Sequence, residues 1–427
     1  MGFLGFWLAV RGFSVRYWPM ALPITGSVEL LELLSPFVAD DHINEVLPRH
    51  RGAGRPSQWS GAQLYRTLLL LLLTPARSSN LLCSLLPDQR AWRRFAHLPN
   101  RNLLPNARQL HEFRQRLTPM ILRQINERLL LGLLEGWPKE QLGVGLMDAT
   151  DLPAATNEYK KNDGGFSAHK AALGARTKKT GQSRWFIGYK KHTLRLWLAH
   201  YSQSVLLVPL MTWAVPANRG DALFLWPSLR HCAQRLRWLP NWVVGDMAYI
   251  SLASQRRIRE ELQVAVITRL RPDMHWIEPY DSDGIPRCPQ GQPLEWLGYD
   301  ATSQDQWFGP TQKNQLCNWC WQQAHCPREF AYPASAHEIL FGLLPQATPL
   351  AKHLLEKVRP WVEPAQSYEK NQLGLRRFFL NSLHLTWIMT LLADAVVFLR
   401  AHALLSQPRP IAPLGELTPK QLSFSWN

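Results

Sequence analysis

The spacing of apolar residues along the chain predicts three regions that differ in secondary structure. Between residues 23 and 137 apolar side chains recur every three or four positions, as in residues 64–73, which is the period of a helix. Between residues 138 and about 270 short apolar runs of strand length alternate with helical spacing, and from residue 348 the helical spacing returns. The pattern therefore predicts an α/β protein with an all-helical amino-terminal region.

The middle region has a defined order of predicted elements. We expect strands at residues 144–147, 185–198, 200–212, 242–244 and 263–267, with helices at 221–236 and 253–262. Strands followed by helix, strand, helix and strand resemble a ribonuclease-H-like core, in which helices flank a mixed sheet. The predicted domains are a leader of uncertain status (1–20), a helical domain (21–137), the first part of the ribonuclease-H-like core (138–270), an insertion (271–347) and the second part of the core (348–427).

Two of the predicted strands deliver an aspartate at their carboxyl ends. Residues 144–147 precede Asp148, and residues 242–244 precede Gly245 and Asp246. The carboxyl ends of strands in sheets with parallel pairs are the usual floor of a ligand site. Two carboxylates placed there can bridge two divalent metal ions about 4 Å apart, although a solvated aspartate at a strand end is the simpler interpretation of Asp148 alone.

The charge of the chain indicates a polyanionic partner. The 427 residues include 48 Lys and Arg against 32 Asp and Glu, which gives a formal net charge of +16. Such an excess repels itself unless phosphates or acidic lipids neutralise it, and nucleic acid is the leading candidate. Basic residues crowd the connections of the helical region, where they form either a phosphate-binding surface or ordinary solvated helix faces.

Composition also bears on compartment. We find no apolar run of the roughly 20 residues needed to cross a bilayer, because residues 385–399 are interrupted by Asp394. Residues 1–13 are apolar but lack a preceding basic segment and a small-residue cleavage site, so they make a poor signal peptide. Six cysteines in a chain of this length do not make a disulfide scaffold. We expect a cytoplasmic protein without a membrane span.

Four cysteines cluster in the turn-rich segment after residue 271. Cys317 and Cys320 form a C-x-x-C pair, Cys326 follows closely, and Cys288 comes from a separate loop. Four thiolates close a tetrahedral structural zinc site, whereas scattered reduced cysteines are the alternative. His325 is a possible substitute ligand.

A further acid lies in the carboxyl-terminal helical region. Pro360 and Pro364 suggest that a helix begins near them, since proline is tolerated in a first turn. Arg359, Glu363 and Lys370 are then four and seven residues apart and share one helix face. A glutamate between two basic residues is most often a surface ion pair, and it gains interest here as a third metal ligand.

Four segments together resemble the DDE transposases of bacterial insertion sequences. They are DATDLPA from Asp148, FIGYKKHTL from Phe186, GDMAYIS from Gly245 and RPWVEPAQSYEKNQLGLRR from Arg359. The resemblance covers nearly the whole chain, including the cysteine-bearing insertion before the last acid. It resides in the ordered set rather than in any single motif.

The resemblance implies roles for individual residues. Asp148, Asp246 and Glu363 would be the acidic triad that holds two Mg²⁺ ions. It also implies that Lys190 and His192, in the GYK-x-H strand, meet DNA near the site, and that Arg359 and Lys370 act against the transposon end. Tyr249 matches the aromatic residue that the family places three positions after the second acid.

The chain departs from the family pattern at one position and offers two rival acids. Glu356 stands where one branch of the family has a tyrosine, which removes the basis for assigning the hairpin chemistry of that branch. Asp151 is the rival for the first ligand. Glu369 is the rival for the third, but its motif would need Ala365 and Arg376 as the basic partners, so only one of the two would be kept.

The function implied by the resemblance is DNA transposition. The protein is expected to bind the inverted ends of its element through the helical domain (21–137) and to cleave them by metal-assisted attack of water. It is then expected to join the freed 3′ hydroxyl to target double-stranded DNA. We expect it to act as a homodimer on DNA. Two alternatives stay open: a domesticated nuclease that does not transpose, and a zinc-containing DNA-binding protein without catalysis. An assay with paired ends and a target plasmid separates the first, and metal chelation during cleavage separates the second.

Overall fold

A computed structural model describes residues 27–48, 58–135, 143–156, 161–162, 165–177, 183–201, 204–270, 285–310, 320 and 326–406. Within these residues the protein is a mixed α/β structure, which confirms the fold class predicted from the apolar spacing.

The amino-terminal part contains only helices among its described regular elements. They are α1 (Val28–Leu34), α2 (Asp40–Val46), α3 (Gly61–Leu73), α4 (Ser79–Leu85), α5 (Arg90–Phe95), α6 (Ala107–Arg116) and α7 (Pro119–Leu134). Ser60 opens α3 with a reciprocal capping box to Gln63, and the leucines that follow are buried around the whole helix. Arg66 is buried in this helix and is held by the Asp40 carboxylate at 2.7 Å.

The central sheet joins antiparallel and parallel strands. Its strands are β1 (Val144–Pro153), β4 (Ala172–Thr177), β5 (Ser183–Tyr201), β6 (Ser204–Pro216), β7 (Trp242–Gly245) and β8 (Ala265–Ile267), while β2 (Lys161–Asn162) and β3 (Gly165–Phe166) form a separate short hairpin. Long β5 pairs antiparallel with β4, β6 and β1, and β1, β7 and β8 pair in parallel. Helices α8 (Leu225–His231) and α9 (Leu252–Leu262) connect β6 to β7 and β7 to β8.

Strand β1 is longer than the sequence predicted. Its apolar run was expected to end at Asp148, but β1 continues to Pro153 because β5 pairs with it over that whole length. Its parallel neighbour β7 ends at Gly245, opposite Met147. Asp148 is therefore at the end of the parallel pairing rather than at the end of its own strand.

The carboxyl-terminal glutamates lie on an irregular helix that we call the composite helix, residues 349–372. It contains α10 (Pro349–His353), a π turn (Leu354–Val358), a 3₁₀ turn (Arg359–Trp361), α11 (Val362–Ser367) and a second π turn (Tyr368–Gln372). The predicted helix start near Pro360 is wrong, because the change of helical pitch at this point accommodates the proline inside a continuing helix. Its apolar side packs on the sheet, with Trp361 edge-on to Trp197 of β5 at 6.4 Å.

The main hydrophobic core is shared between the two ends of the chain. Helix α12 (Leu383–Leu405) packs against α7, α3 and β6, so a single buried cluster runs from the amino-terminal helices through the sheet to α12. By length and composition α12 is apolar enough to cross a bilayer, but 89% of its most apolar window is buried inside the protein. This burial is that of a central core helix.

The insertion builds a small sheet of its own. Strands β9 (Leu294–Asp300), β10 (Asp305–Pro310) and β11 (Phe330–Pro333) are antiparallel in the order β11-β10-β9 and cover a separate small core around Phe308 and Phe341. Sequence reasoning had identified only turns and cysteines in this segment.

Candidate active site

Asp148 and Asp246 lie side by side at the ends of adjacent parallel strands. In the β1–β7 register Met147 pairs with Gly245, so the next residue on each strand is an aspartate. A 3₁₀ turn follows immediately, and the Asp246 carboxylate accepts a hydrogen bond from the Met247 N–H at 2.5 Å. The local sequence thus fixes both carboxylates at one edge of the sheet, as the strand pattern predicted.

The Asp148 carboxylate is largely withdrawn from water. One oxygen accepts a hydrogen bond from the Ala149 N–H at 2.8 Å, and the other accepts one from the Gln366 side chain at 2.9 Å. Burial raises the pKa of Asp148 to about 6, and the charge of Asp246 adds to this effect against the opposing charge of Arg359. A carboxyl in this environment titrates near neutral pH.

The composite helix lies over the two aspartates. Arg359 places its guanidinium 3.3 Å from the Asp246 carboxylate, and Gln366 donates to Asp148 and to the Ala149 carbonyl. Glu363 is four residues after Arg359 and three before Gln366, so it shares their helix face. Its side chain is exposed.

The rival glutamate, Glu369, has a different environment. It is buried and accepts hydrogen bonds at 2.6 Å from both Lys191 and Arg195 of β5, while Lys191 also donates to Asp394 of α12 at 2.7 Å. Burial alone would raise the pKa of Glu369, but Arg195 and Lys191 outweigh it and hold the pKa below its ordinary value. We call Lys191, Arg195, Glu369 and Asp394 the buried charge network.

The rival for the first ligand, Asp151, is also placed apart. It is paired across the strands with Lys190, and its charge acts on Asp221 rather than on Asp148. Asp151 is three positions after Asp148, and an odd spacing along a strand places the two side chains on opposite faces of β1.

His192 was predicted to contact DNA, and its burial contradicts that prediction. The imidazole is fully buried, stacks on Phe224 at 4.3 Å and shares a hydrogen bond of 2.9 Å with the Tyr249 hydroxyl. Burial, together with the charge of Lys190, lowers the pKa of His192 to about 3, so the ring is neutral at physiological pH. The ring lies out of reach of DNA because both faces of the central strand β5 are covered.

The other predicted DNA-contacting residues, Lys190, Arg359 and Lys370, differ in their exposure and in their contacts. Lys190 donates to Asp221 at 2.8 Å, with about one sixth of each side chain exposed. Arg359 keeps about a third of its side chain exposed beside Asp246, and Lys370 is buried in the second π turn. Of these three, Arg359 is the one that the structure places at the paired aspartates.

The predicted metal ligands are brought together only in part. Asp148 and Asp246 converge, but among the described residues no group of three or more His, Cys, Asp or Glu side chains is arranged to hold a metal ion. Cys288, Cys320 and Cys326 are partly buried free thiols, while Cys317 and the substitute ligand His325 lie outside the described residues. The four-cysteine zinc site therefore stays a prediction.

Sequence reasoning missed two residues that shape the site. Gln366 has no motif of its own, although its position three residues after Glu363 could have placed it on the same face. Arg195 lies between Leu194 and Leu196 in the apolar second half of β5, and a charge there signals a buried partner. Its charge also opposes the rise in the pKa of Asp148.

Comparison with known proteins adds no relative. No protein-family model matches the sequence, and no curated protein matches it.

Proposed function

We propose that the chain is a DDE-type transposase that cleaves double-stranded DNA at the ends of an insertion sequence and joins them to target DNA. The observation that carries the proposal is the register that places Asp148 beside Asp246, under a helix bearing Arg359 and Glu363. The strand order β6-β5-β1-β7-β8, in which antiparallel strands are followed by parallel ones, supports a ribonuclease-H-like core. The net charge of +16 supports DNA as the partner.

The paired carboxylates fit a hard divalent cation such as Mg²⁺, whose preferred ligands are oxygens. In this structure the Arg359 guanidinium serves as the counter-charge that Asp246 needs. When bound, the metal supplies activation of the attacking oxygen and neutralisation of charge at the phosphate. Asp148 and Asp246 would hold it, and Glu363, which shares a helix face with Arg359 and Gln366, would be the third ligand.

The neighbouring residues of this chain orient those ligands. Gln366 fixes one Asp148 oxygen, so the other lone pairs of that carboxylate point in a defined direction. Arg359 orients the Asp246 carboxylate and is exposed enough to meet a phosphate. Because Asp148 must lose its proton to bind a cation, its raised pKa makes protons compete with the metal as the pH falls.

The test is cleavage of paired element ends with Mg²⁺ and a target plasmid. Asp246→Asn should reduce cleavage and strand transfer by at least about 10²-fold, because a charge that stabilises the transition state is removed, and should leave end binding intact. Glu329→Gln, which removes a carboxylate at an exposed position in the insertion, is the matched control and should behave like wild type.

Full strand transfer by Asp246→Asn would remove the assignment. Cleavage without any joining to the plasmid would instead favour the non-transposing nuclease. Binding of ends with no cleavage under any divalent ion would favour the DNA-binding protein without catalysis. Gel filtration of the end-bound protein tests the expected homodimer.

A further inference from the structure

A basic cleft lies between the amino-terminal helices and the segment that leads into α12. It encloses about 820 Å³ and is bordered by residues 77–80, by α6 and by residues 378–389. Pockets that bind organic ligands typically have roughly 300–1,000 Å³. The cleft is separate from the paired aspartates. One of its walls is hydrogen-bonded to Ala155, which lies just beyond the end of β1.

The polar lining of the cleft is cationic. Three arginines and three histidines contribute to it, and no Asp or Glu occurs among its described lining residues: the basic side chains are Arg77, Arg108, Arg114, His111, His169 and His384. Arg108 pairs with Glu112 just outside the cleft, at 2.8 Å. The guanidinium of Arg77 donates to the Leu71 and Gln372 carbonyls, so no carboxylate neutralises it within the described part of the chain. An anion therefore finds unmatched positive charge there.

An exposed aromatic ring stands in the wall of this cleft. Phe379 has 71% of its surface exposed, between Phe378, which packs on the core, and buried Leu380. The backbone around it is fixed, because the Ala155 N–H donates to the Leu380 carbonyl and the His169 N–H donates to the Asn381 carbonyl, each at 2.9 Å. A single exposed phenylalanine is ordinary, but one that lines the same cleft as three arginines, on a hydrogen-bonded backbone, can serve as a stacking platform.

We propose that this cleft binds an unpaired stretch of DNA, with a base stacked on Phe379 and the adjoining phosphates on the arginines. A duplex keeps its bases stacked and presents only its backbone and groove edges, so it gains nothing from an isolated aromatic ring in a concave site. An unpaired strand offers both a π face and a flexible anionic backbone. The inference rests on the proposed function only for the choice of DNA as the polyanion.

The position of the cleft fits a strand that leaves the active site. Asp148 and Ala155 are seven residues apart on β1 and its extension, which corresponds to roughly 20 Å at about 3.3 Å per extended residue. A DNA strand whose phosphate sits at the paired aspartates can thus run along this edge of the sheet into the cleft. Unpaired DNA arises where a cut strand frays or is displaced from its complement.

The test uses the full chain without added divalent ions and a fluorescent 20-nucleotide oligothymidylate, with anisotropy as the readout. Phe379→Ala should weaken binding by about 5- to 100-fold, the range for losing one base stacked on an aromatic ring. Phe379→Tyr should restore it, and a duplex of the same length should bind both variants as it binds wild type. Circular dichroism checks that the exposed substitution leaves the fold intact.

Arginine variants supply the matched pair for the phosphate contacts. Arg108 and Arg257 each form an i,i+4 ion pair with a glutamate on an exposed helix face, but only Arg108 borders the cleft. Arg108→Ala should weaken oligothymidylate binding and lower the salt slope by about 0.7 per lost phosphate contact. Arg257→Ala should leave both unchanged.

Equal binding of oligothymidylate by wild type and Phe379→Ala would overturn the proposal. So would an equal loss of duplex and single-strand affinity, which would make the cleft a duplex surface. Because no cleavage is measured, the outcome is separate from that of Asp246→Asn: a cleft that behaves as expected beside an unimpaired Asp246→Asn enzyme would refute the proposed function alone.

Discussion

Two glutamates on the composite helix, six residues apart, have opposite environments. Glu369 is buried between Lys191 and Arg195, whereas Glu363 is exposed and shares its helix face with the residues that contact the paired aspartates. With Asp394 the network around Glu369 holds two cations and two anions, so its buried charges cancel. The acids at the strand ends have no such complete compensation. A buried carboxylate whose oxygens are all paired with cations stabilises the fold. A carboxylate with unpaired oxygen lone pairs is available to bind a ligand.

The largest effect should come from breaking the buried charge network. Glu369→Ala leaves Lys191 and Arg195 as uncompensated buried cations, and we expect a loss of about 3–5 kcal/mol in the free energy of unfolding. Urea denaturation measures it. Glu363→Ala is the matched control and should stay within about 0.5 kcal/mol of wild type because its side chain is exposed. Equal midpoints for the two variants would mean that the contrast between the two glutamates has no energetic basis.

Removal of the negative charge of Asp148 should stabilise the folded protein. Folding raises the pKa of Asp148 from 3.8 to about 6, so the folded state binds the proton more tightly than the unfolded chain. Stability from this group is complete below about pH 3.8 and is lost as pH rises through 6, by up to about 3 kcal/mol. Asp148→Asn should therefore unfold at a higher temperature than wild type at pH 8 and gain nothing at pH 3.5. A lower melting temperature at pH 8 would contradict the desolvation of this carboxyl.

A smaller effect is expected from removing the hydrogen bond that Gln366 donates to Asp148, the proposed metal ligand. Gln366→Ala frees an Asp148 oxygen, and loss of a partner that orients a metal ligand typically lowers metal affinity or activity by about 10- to 100-fold. Titration of cleavage with Mg²⁺ measures it. Asn371→Ala, an exposed position on the same composite helix, should leave the titration unchanged. Identical Mg²⁺ curves for Gln366→Ala and wild type would show that Asp148 needs no such support.

The smallest effect is expected at Lys190, which is adjacent to the buried Lys191 on β5. Lys190 pairs with Asp221 where water has partial access, so Lys190→Met should cost about 1 kcal/mol, the upper end for accessible ion pairs. Lys191→Met removes a fully buried partner of two acids and should cost several times more. Thermal unfolding of the two variants side by side gives the ratio, and a ratio near one would contradict the difference in burial.

The strands that bear the aspartates were predictable because short apolar runs ending in Asp148 and Asp246 carry the information locally. The choice between Glu363 and Glu369 rested on the spacing of basic residues, and the structure adds what spacing lacks, namely which side of the helix meets the sheet. Local pattern cannot supply this, since it depends on how two distant segments pack.

The error at His192 has a similar origin. Alternation along β5 separates Lys190 and His192 from Lys191, but it does not reveal that helices cover both faces of the sheet. The composite helix also differs from its prediction at Pro360, because a π turn allows a proline that an ordinary α-helix would exclude. The three-stranded sheet of the insertion went unpredicted because its strands are only partly buried and lack a continuous apolar run.

Helix α12 lies late in the chain yet fills the centre of the molecule, against α3 and α7 from the beginning. During synthesis α3 and α7 are made about 270 to 330 residues before α12, their final packing partner, is complete. Interruption of translation before that point would leave the apolar surfaces of α3 and α7 exposed and the buried charge network without Asp394. We therefore expect incomplete chains to be degraded by proteases.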